Sequence, residues 1–110
     1  MKTRNLLAVL LPASLVGITL LAASPQAKDA RAVYLDKCSV CHGEDGKGQT
    51  AKGRKLKVKD VSSADFRKLS DSQLIDVVLK GKGQDMDGYE KELGADMSKK
   101  LVAYMRSLAK

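Results

Sequence analysis

The amino-acid sequence predicts an all-α fold from two helical patterns and from the lack of any strand pattern. Near the C-terminus one face of a predicted helix is apolar, and its residues are Met97, Leu101, Tyr104, Met105 and Leu108. Further upstream, Ser70 and Gln73 form a capping-box pattern directly before an apolar run at residues 74–79. No stretch shows the period-two alternation of a half-buried strand. Helices packed on helices are therefore expected.

The first helix is predicted over residues 29–40. Its apolar positions are Val33, Tyr34 and Val40, and Asp29 near its start complements the helix dipole. Three glycines within residues 43–48 then favour a turn with positive φ angles, which stops the helix.

The remaining segments complete a bundle of about three to five helices. Residues 62–69 are expected to contain a short helical turn whose Phe66 and Leu69 point inward. The helix that follows the capping box ends at Gly81, and a second glycine-rich loop at residues 81–88 carries Met86. The terminal helix is expected to begin at about residue 95 and to run to the end of the chain.

Residues 38–42 have the spacing C-x-x-C-H and contain both cysteines and the single histidine of the chain. This is the attachment signature of a c-type haem, in which Cys38 and Cys41 bond the porphyrin and His42 reaches the iron. One turn of helix brings the two sulfurs to one side and places the imidazole next to them. The sequence therefore predicts one covalent haem c, and the glycines after His42 leave room for its edge.

Three other uses of two closely spaced cysteines are a thioredoxin-like redox pair, a structural disulfide and half of a zinc site. A zinc site would lack a fourth ligand, because Cys38, Cys41 and His42 are the only cysteines and histidine. A thioredoxin-like pair would be expected beside strands of a parallel sheet, which the later segments do not predict. Haem attachment is the preferred interpretation.

The second axial ligand of the iron is predicted to be Met86. With one histidine in the chain, two histidine ligands within it are excluded. Met1 belongs to the N-terminal segment, and Met97 and Met105 lie on the apolar face of the terminal helix, where packing explains them. Met86 lies instead in a glycine-flanked loop with polar neighbours, from which it could approach the open face of a haem held at residues 38–42.

Residues 1–27 are predicted to be a signal peptide, and residues 28–110 the haem domain. Lys2 and Arg4 precede an uncharged apolar stretch at residues 6–23, and small residues follow it. Cleavage is expected after Ala27, with Ser24 as the other candidate position. The alternative is an uncleaved anchor that holds the protein on the membrane, facing the periplasm. Either way the predicted location is periplasmic, where haem attachment takes place.

The charge distribution predicts the kind of partner. The 110-residue chain has a formal net charge of +7, and residues 47–59 contain six cations without an intervening acid: Lys47, Lys52, Arg54, Lys55, Lys57 and Lys59. One interpretation is a solvated loop. The other is a docking surface for a redox partner with an acidic face. Nucleic acid is not expected as a partner, because no aromatic residues interleave with these cations.

The chain from residue 29 to 110 resembles the small class I cytochromes c of bacteria. The resemblance is carried by Tyr34 before the C-x-x-C-H motif, by the run at residues 45–48, by the glycines before Met86 and by residues 101–108. It implies a cytochrome c-like fold around one haem, with N- and C-terminal helices that cross. It also implies a contact between Ala30 and Tyr104.

The chain departs from this family at two positions. Asp87 follows Met86, where the family commonly has a proline, and this puts the rigidity of the methionine loop in question. The proline whose carbonyl accepts a bond from the ligand histidine is also missing, since no proline follows Pro25. We expect a carbonyl between residues 49 and 56 to take its place.

The predicted function is that of an exported, monomeric, monohaem cytochrome that carries single electrons between redox partners and is not an enzyme. The methionine ligand and an apolar shell would raise its reduction potential. The alternative is a haem-based gas sensor or a peroxidase-like protein, in which Met86 is loose and the sixth iron position is open.

Overall fold

The computed structural model describes residues 12–17 and 29–110, and within these residues the predicted all-α fold is confirmed. Its helices are α1 Ala30–Lys37, α2 Ser39–His42, α3 Ala51–Leu56, α4 Ala64–Arg67, α5 Asp71–Lys80 and α6 Glu90–Leu108. Six helices exceed the expected three to five because α2 and α4 are single turns and because α3 was not predicted. The only strand-like feature of the described residues is one isolated bridge between Lys82 and Met86.

The predicted signal peptide lies largely outside the described residues, which include only positions 12–17 of it. Those six residues form neither helix nor strand. Among the described residues, no helix combines the length and the apolar character needed to cross a membrane.

The first predicted helix is divided in two at Cys38. The Asp29 side chain accepts a hydrogen bond from the backbone N–H of Arg31 and caps α1, as its position indicated. At Cys38 the backbone turns to φ −113°, and a new turn, α2, begins at Ser39. Val40, one of the predicted apolar positions, is 59% exposed and lines the cavity described below.

The segment that contains the basic run was expected to be a loop, and this expectation is wrong because part of it forms helix α3. Thr50 caps it by accepting a hydrogen bond from the Gly53 N–H, and Lys57 ends it in the left-handed conformation at φ 56°. A run of lysines with one glycine has no apolar periodicity, so the helix gave no pattern to detect.

The glycine-rich turn at residues 43–48 is used for packing within the chain. Gly46 has φ 74°, and a Cβ there would lie 2.8 Å from a methyl carbon of Val61. At Gly48 a Cβ would lie 2.6 Å from the Val58 carbonyl oxygen. The space that these two glycines leave is therefore filled by the protein itself, and neither glycine lines the cavity described below.

The middle of the chain folds as its local signals predicted. Ser63 caps α4, which carries the buried Phe66. The capping box of α5 is complete, with Ser70 and Gln73 each bonding the backbone of the other. Gly81 follows the last residue of α5 and has φ 81°, a conformation that glycine adopts without steric cost.

Helix α6 starts earlier than predicted because it has two parts. A short part from Glu90 meets the long part at Gly94, where φ 70° and ψ 177° interrupt the helix. The buried Ser98 hydroxyl donates to the Gly94 carbonyl and stabilises the junction. The expected apolar face is present, with Leu101 and Met105 buried in the core.

The first and last helices pack against each other, as expected, and close the core. The Tyr34 ring is fully buried and lies 5.2 Å from the Tyr104 ring, at a tilt of 60°. The ring of Tyr104 therefore packs against Tyr34. The implied contact between Tyr104 and Ala30 stays a prediction. The buried core consists of Tyr34, Val61, Phe66, Leu74, Val78, Leu101, Val102 and Met105.

Arg106 connects α6 to the segment between α4 and α5. Its guanidinium donates to the Leu69 carbonyl at 2.6 Å and to the Asp71 carboxylate at 2.5 Å. The same group lies 5.9 Å from the centre of the Phe66 ring. Because both Phe66 and Leu69 line the cavity described next, this contact holds part of the cavity wall.

Candidate haem-binding site

A cavity of about 310 Å³ opens between α2, α3, α5 and the second glycine-rich loop, and all four predicted site residues line it. Cys38, Cys41 and His42 come from the junction of α1 and α2, and Met86 comes from the loop. The chain thus brings together residues that are separated by more than forty positions in the sequence.

The walls of this cavity are apolar, and they suit a large flat apolar group. They are formed by Val40, Leu56, Phe66, Leu69, Leu74 and Val77. A second, smaller cavity of about 60 Å³ shares His42 and Met86 with the first and extends between them towards Val102 and Met105. The two thiols can bond a porphyrin, and the imidazole can bind its iron. The two cavities provide the apolar space that a covalently attached haem requires.

No disulfide joins the two cysteines, which are half-buried thiols until a haem is attached. Burial raises the pKa of the Cys38 thiol to about 11, so that it is protonated at neutral pH. No cluster of three or more histidine, cysteine, aspartate or glutamate side chains within the described ranges is arranged to hold a metal ion.

The His42 imidazole is kept neutral by its surroundings, because burial lowers its pKa from the ordinary value. A neutral imidazole is the form that binds a metal. Its Nδ1 atom is buried and has no hydrogen-bond partner. The expected bond to a carbonyl between residues 49 and 56 is therefore absent, because this segment is helical and uses carbonyls within itself, such as those of Thr50 and Gly53.

Met86 lies in a loop that hydrogen bonds hold closed. Its carbonyl accepts from the Lys82 N–H at 2.8 Å, and its own N–H donates to the Lys82 carbonyl at 3.3 Å. After the loop, the Tyr89 N–H donates to the Val78 carbonyl at 2.9 Å, which ties the chain back to α5. These hydrogen bonds restrict the methionine loop, although Asp87 stands where the family commonly has a proline.

The cavity rim is basic, and sequence reasoning missed two of its five lysines. Three exposed residues of the predicted basic run, Lys52, Lys57 and Lys59, line the rim. They are joined by Lys37 and Lys82 from distant segments. No local pattern singles out these two lysines, because only the fold brings them to the rim.

Comparison with known proteins identifies the family and the fold of the chain. The family model described as "Cytochrome C oxidase, cbb3-type, subunit III" matches residues 25–105. The solved structure of the KustC0563 c-type cytochrome is similar, with a TM-score of 0.69 and 30% identity over 74% of this chain and 99% of that chain. A search of curated protein sequences found no match.

Two further solved structures share the fold. The c-type cytochrome NirC has a TM-score of 0.61 and 22% identity, and the match covers 81% of this chain and 100% of that chain. Cytochrome cL from Hyphomicrobium denitrificans has a TM-score of 0.58 and 24% identity, over 74% of this chain and 46% of that chain. With the family match over most of the chain, the protein belongs to the c-type cytochrome family of the cbb3 subunit III model, carries covalently bound haem c and transfers electrons.

Proposed function

We propose that the protein is an exported carrier of single electrons in which Cys38 and Cys41 hold the haem, and His42 and Met86 are the axial ligands of its iron. One observation carries this proposal: the four side chains line a single cavity whose walls are apolar. Nitrogen and thioether sulfur together favour an iron that changes oxidation state with little rearrangement. The haem supplies the redox chemistry, and the chain supplies its position and surroundings.

The apolar walls set the reduction potential in the proposed carrier. Leu56, Leu74 and Val77 exclude water from the cavity, and a dry environment disfavours the additional positive charge of the ferric state. A methionine ligand acts in the same direction, since it raises the potential. Both features suit a protein that accepts and donates electrons at the rim.

The alternative of a gas sensor or a peroxidase-like protein is not favoured. Such a protein needs a sixth iron position that an exogenous ligand can take. The bonds between Lys82 and Met86, together with the bond from Tyr89 to α5, restrict the loop that carries the methionine. An internal ligand on a restricted loop opposes the binding of an external one.

Absorption spectroscopy of the purified holoprotein tests the ligand set. A methionine sulfur gives ferric haem a weak charge-transfer band in the red, and we expect this band in the wild type and its loss in Met86→Ala. The matched control is Met97→Ala, because Met97 is half-buried against the core and does not line the cavity. A high-spin wild-type spectrum with rapid binding of carbon monoxide would contradict the proposal and support the sensor.

Export is part of the proposal and has its own test. Residues 1–27 have the composition of a signal peptide, and their removal would leave a basic domain with a net charge of +5. Intact mass spectrometry of the purified protein gives the N-terminus and the number of haem groups together. We expect one haem and cleavage after Ala27, whereas a mass that includes residues 1–27 would support an anchor.

The basic rim is proposed to bind redox partners that have an acidic surface. Five lysines line the cavity, against two acids, Asp85 and Asp87. Three of these lysines, Lys52, Lys57 and Lys82, form no ion pair with any residue in the described part of the chain. Unpaired cations around an electron-transfer site attract an acidic partner and orient it. The protein is proposed to act as a monomer.

A further inference from the structure

The Thr50 hydroxyl joins α3 to the end of the C-x-x-C-H helix. As an acceptor it receives the Gly53 N–H at 2.8 Å and so caps α3. As a donor it points to the Val40 carbonyl at 2.8 Å and to the Cys41 carbonyl at 3.2 Å. One half-buried side chain thus satisfies groups on both helices, and its donor side contacts the two residues that directly precede His42.

Helix α3 lies against the motif without a layer of side chains between them. A Cβ on Gly53 would lie 2.2 Å from the Cys41 carbonyl oxygen and 2.5 Å from the Gly48 carbonyl oxygen. The Gly48 N–H in turn donates to the His42 carbonyl at 2.7 Å. The backbone around His42 is therefore held by α3 and by the glycine turn.

The His42 side chain has no hydrogen bond of its own at the buried Nδ1 atom. An axial histidine is usually oriented by a bond from its second nitrogen, which fixes the plane of the ring. Without such a bond, the backbone that carries the ring becomes more important for its orientation. That backbone is fixed where Thr50 contacts the carbonyls of Val40 and Cys41.

We infer that Thr50 is a positioning residue for His42, and that its hydroxyl sets the plane of the axial imidazole by donating to the Val40 and Cys41 carbonyls. The inference rests on the proposed ligation by His42 and goes beyond it, since ligation alone requires no contact from Thr50. The donor function is separate from the cap, because the cap uses the oxygen only as an acceptor.

Three variants of Thr50 separate the two functions. Thr50→Val removes both the cap and the donor, and Thr50→Ser keeps both. Thr50→Asp keeps a favourable cap, since an ionised carboxylate accepts from the Gly53 N–H, but it has no proton for the two carbonyls. The matched control is Ser63→Ala, which removes the cap of another short helix, α4, away from the motif.

Proton NMR of the oxidised holoprotein provides the measurement. The paramagnetically shifted resonances of the haem methyl groups depend on the plane of the axial imidazole. We expect Thr50→Val and Thr50→Asp to change the order or the spread of these resonances, and Thr50→Ser and Ser63→Ala to keep the wild-type pattern. If Thr50→Val yields no holoprotein, Thr50→Asp decides alone.

A wild-type pattern in both Thr50→Val and Thr50→Asp would overturn the inference, as would an equal change in Ser63→Ala. Failure of the proposed function would be recognised separately, in the wild type. An iron without histidine ligation would have a wild-type spectrum unlike that of a histidine-ligated haem before any Thr50 variant is compared.

Discussion

Gly53 is a residue at which helix propensity and packing predict opposite effects of one substitution. Within a helix, replacing glycine by alanine stabilises by about 1 kcal/mol when the site is open. At Gly53 the new Cβ would lie 2.2 Å from the Cys41 carbonyl oxygen, which belongs to the backbone and cannot rotate away. Overpacking of this kind costs about 1–3 kcal/mol. We expect Gly53→Ala to lower the free energy of unfolding, measured by denaturant titration of the holoprotein.

The control for this prediction is Lys55→Ala in the same helix. Lys55 is exposed and does not line the cavity, so its replacement should change the stability by less than about 0.5 kcal/mol. A Gly53→Ala protein that is as stable as the wild type would show that α3 is free to move away from Cys41.

Tyr34 contributes to stability through a buried hydroxyl that donates to the Gly43 carbonyl at 2.7 Å. Tyr34→Phe removes this bond and leaves the carbonyl without it, a loss of about 1–2 kcal/mol at neutral pH. The measurement is denaturant titration, with Tyr104→Phe as the control. That variant keeps the packing of the two rings and the bond to Gly43.

The same hydroxyl predicts a pH dependence. Burial raises the pKa of Tyr34 well above its ordinary value. The unfolded chain therefore loses this proton first, and the contribution to stability is complete below about pH 10 and decreases above it. We expect the free energy of unfolding to fall more steeply above about pH 10 in the wild type than in Tyr34→Phe. Parallel curves would contradict this account.

At the scale of helices, sequence reasoning succeeded where the signal is local. The capping box of α5 and the apolar face of α6 depend on residues within a few turns, and both were predicted. Helix α3 was missed because it has no apolar periodicity and because it packs against the backbone of Cys41, a contact that a local pattern does not contain. The break at Cys38 was missed for a similar reason, since residues 29–40 have the composition of one continuous helix.

The loop that carries Met86 gives the prediction at this scale. A Cβ on Gly88 would lie 2.6 Å from the Leu79 carbonyl oxygen, so an alanine would push the loop away from the end of α5. Because Gly88 is two residues from Met86, we expect Gly88→Ala to weaken the red charge-transfer band and to speed the binding of carbon monoxide. Both are measured on the purified holoprotein by absorption spectroscopy.

Gly83→Ala is the matched control for the loop. Gly83 lies in the same loop, but a Cβ there would have no atom within 4 Å. Its φ of 55° makes alanine unfavourable by about 1–2 kcal/mol without moving Met86. An unchanged band in Gly88→Ala, or an equal loss in Gly83→Ala, would mean that contact with α5 does not hold the methionine.

At the scale of the whole molecule, the site combines residues that the sequence identified with residues that only the fold brings together. Cys38, Cys41 and His42 are predicted from their spacing, and Met86 by elimination among four methionines, and all four line the cavity. Three distant segments contribute Lys37, Lys82 and the apolar wall at Phe66. The motif and three of the rim lysines could therefore be predicted from the sequence, whereas the other two lysines required the structure.

The charge of these lysines predicts how the protein reacts with small oxidants. Ferricyanide is an anion, and the cations of the rim should attract it to the place where electrons leave. We expect the rate of oxidation of the ferrous protein by ferricyanide to fall as salt is added, since exposed charges are screened beyond about 10 Å at 0.1 M ionic strength. Lys52→Gln with Lys57→Gln should lower the rate at low salt and flatten its salt dependence. A cationic cobalt complex should show the opposite trends in the same stopped-flow measurement.

The position of the lysines, rather than the net charge of the protein, decides this prediction. Lys91→Gln with Lys99→Gln makes the same change in net charge at two exposed residues of α6 that do not line the cavity. If the rim directs the reaction, this pair should react with ferricyanide nearly as fast as the wild type, because charge acts most strongly close to the site of transfer. Equal effects of the two pairs would assign the attraction to the net charge of the molecule and leave the rim without a special role in docking.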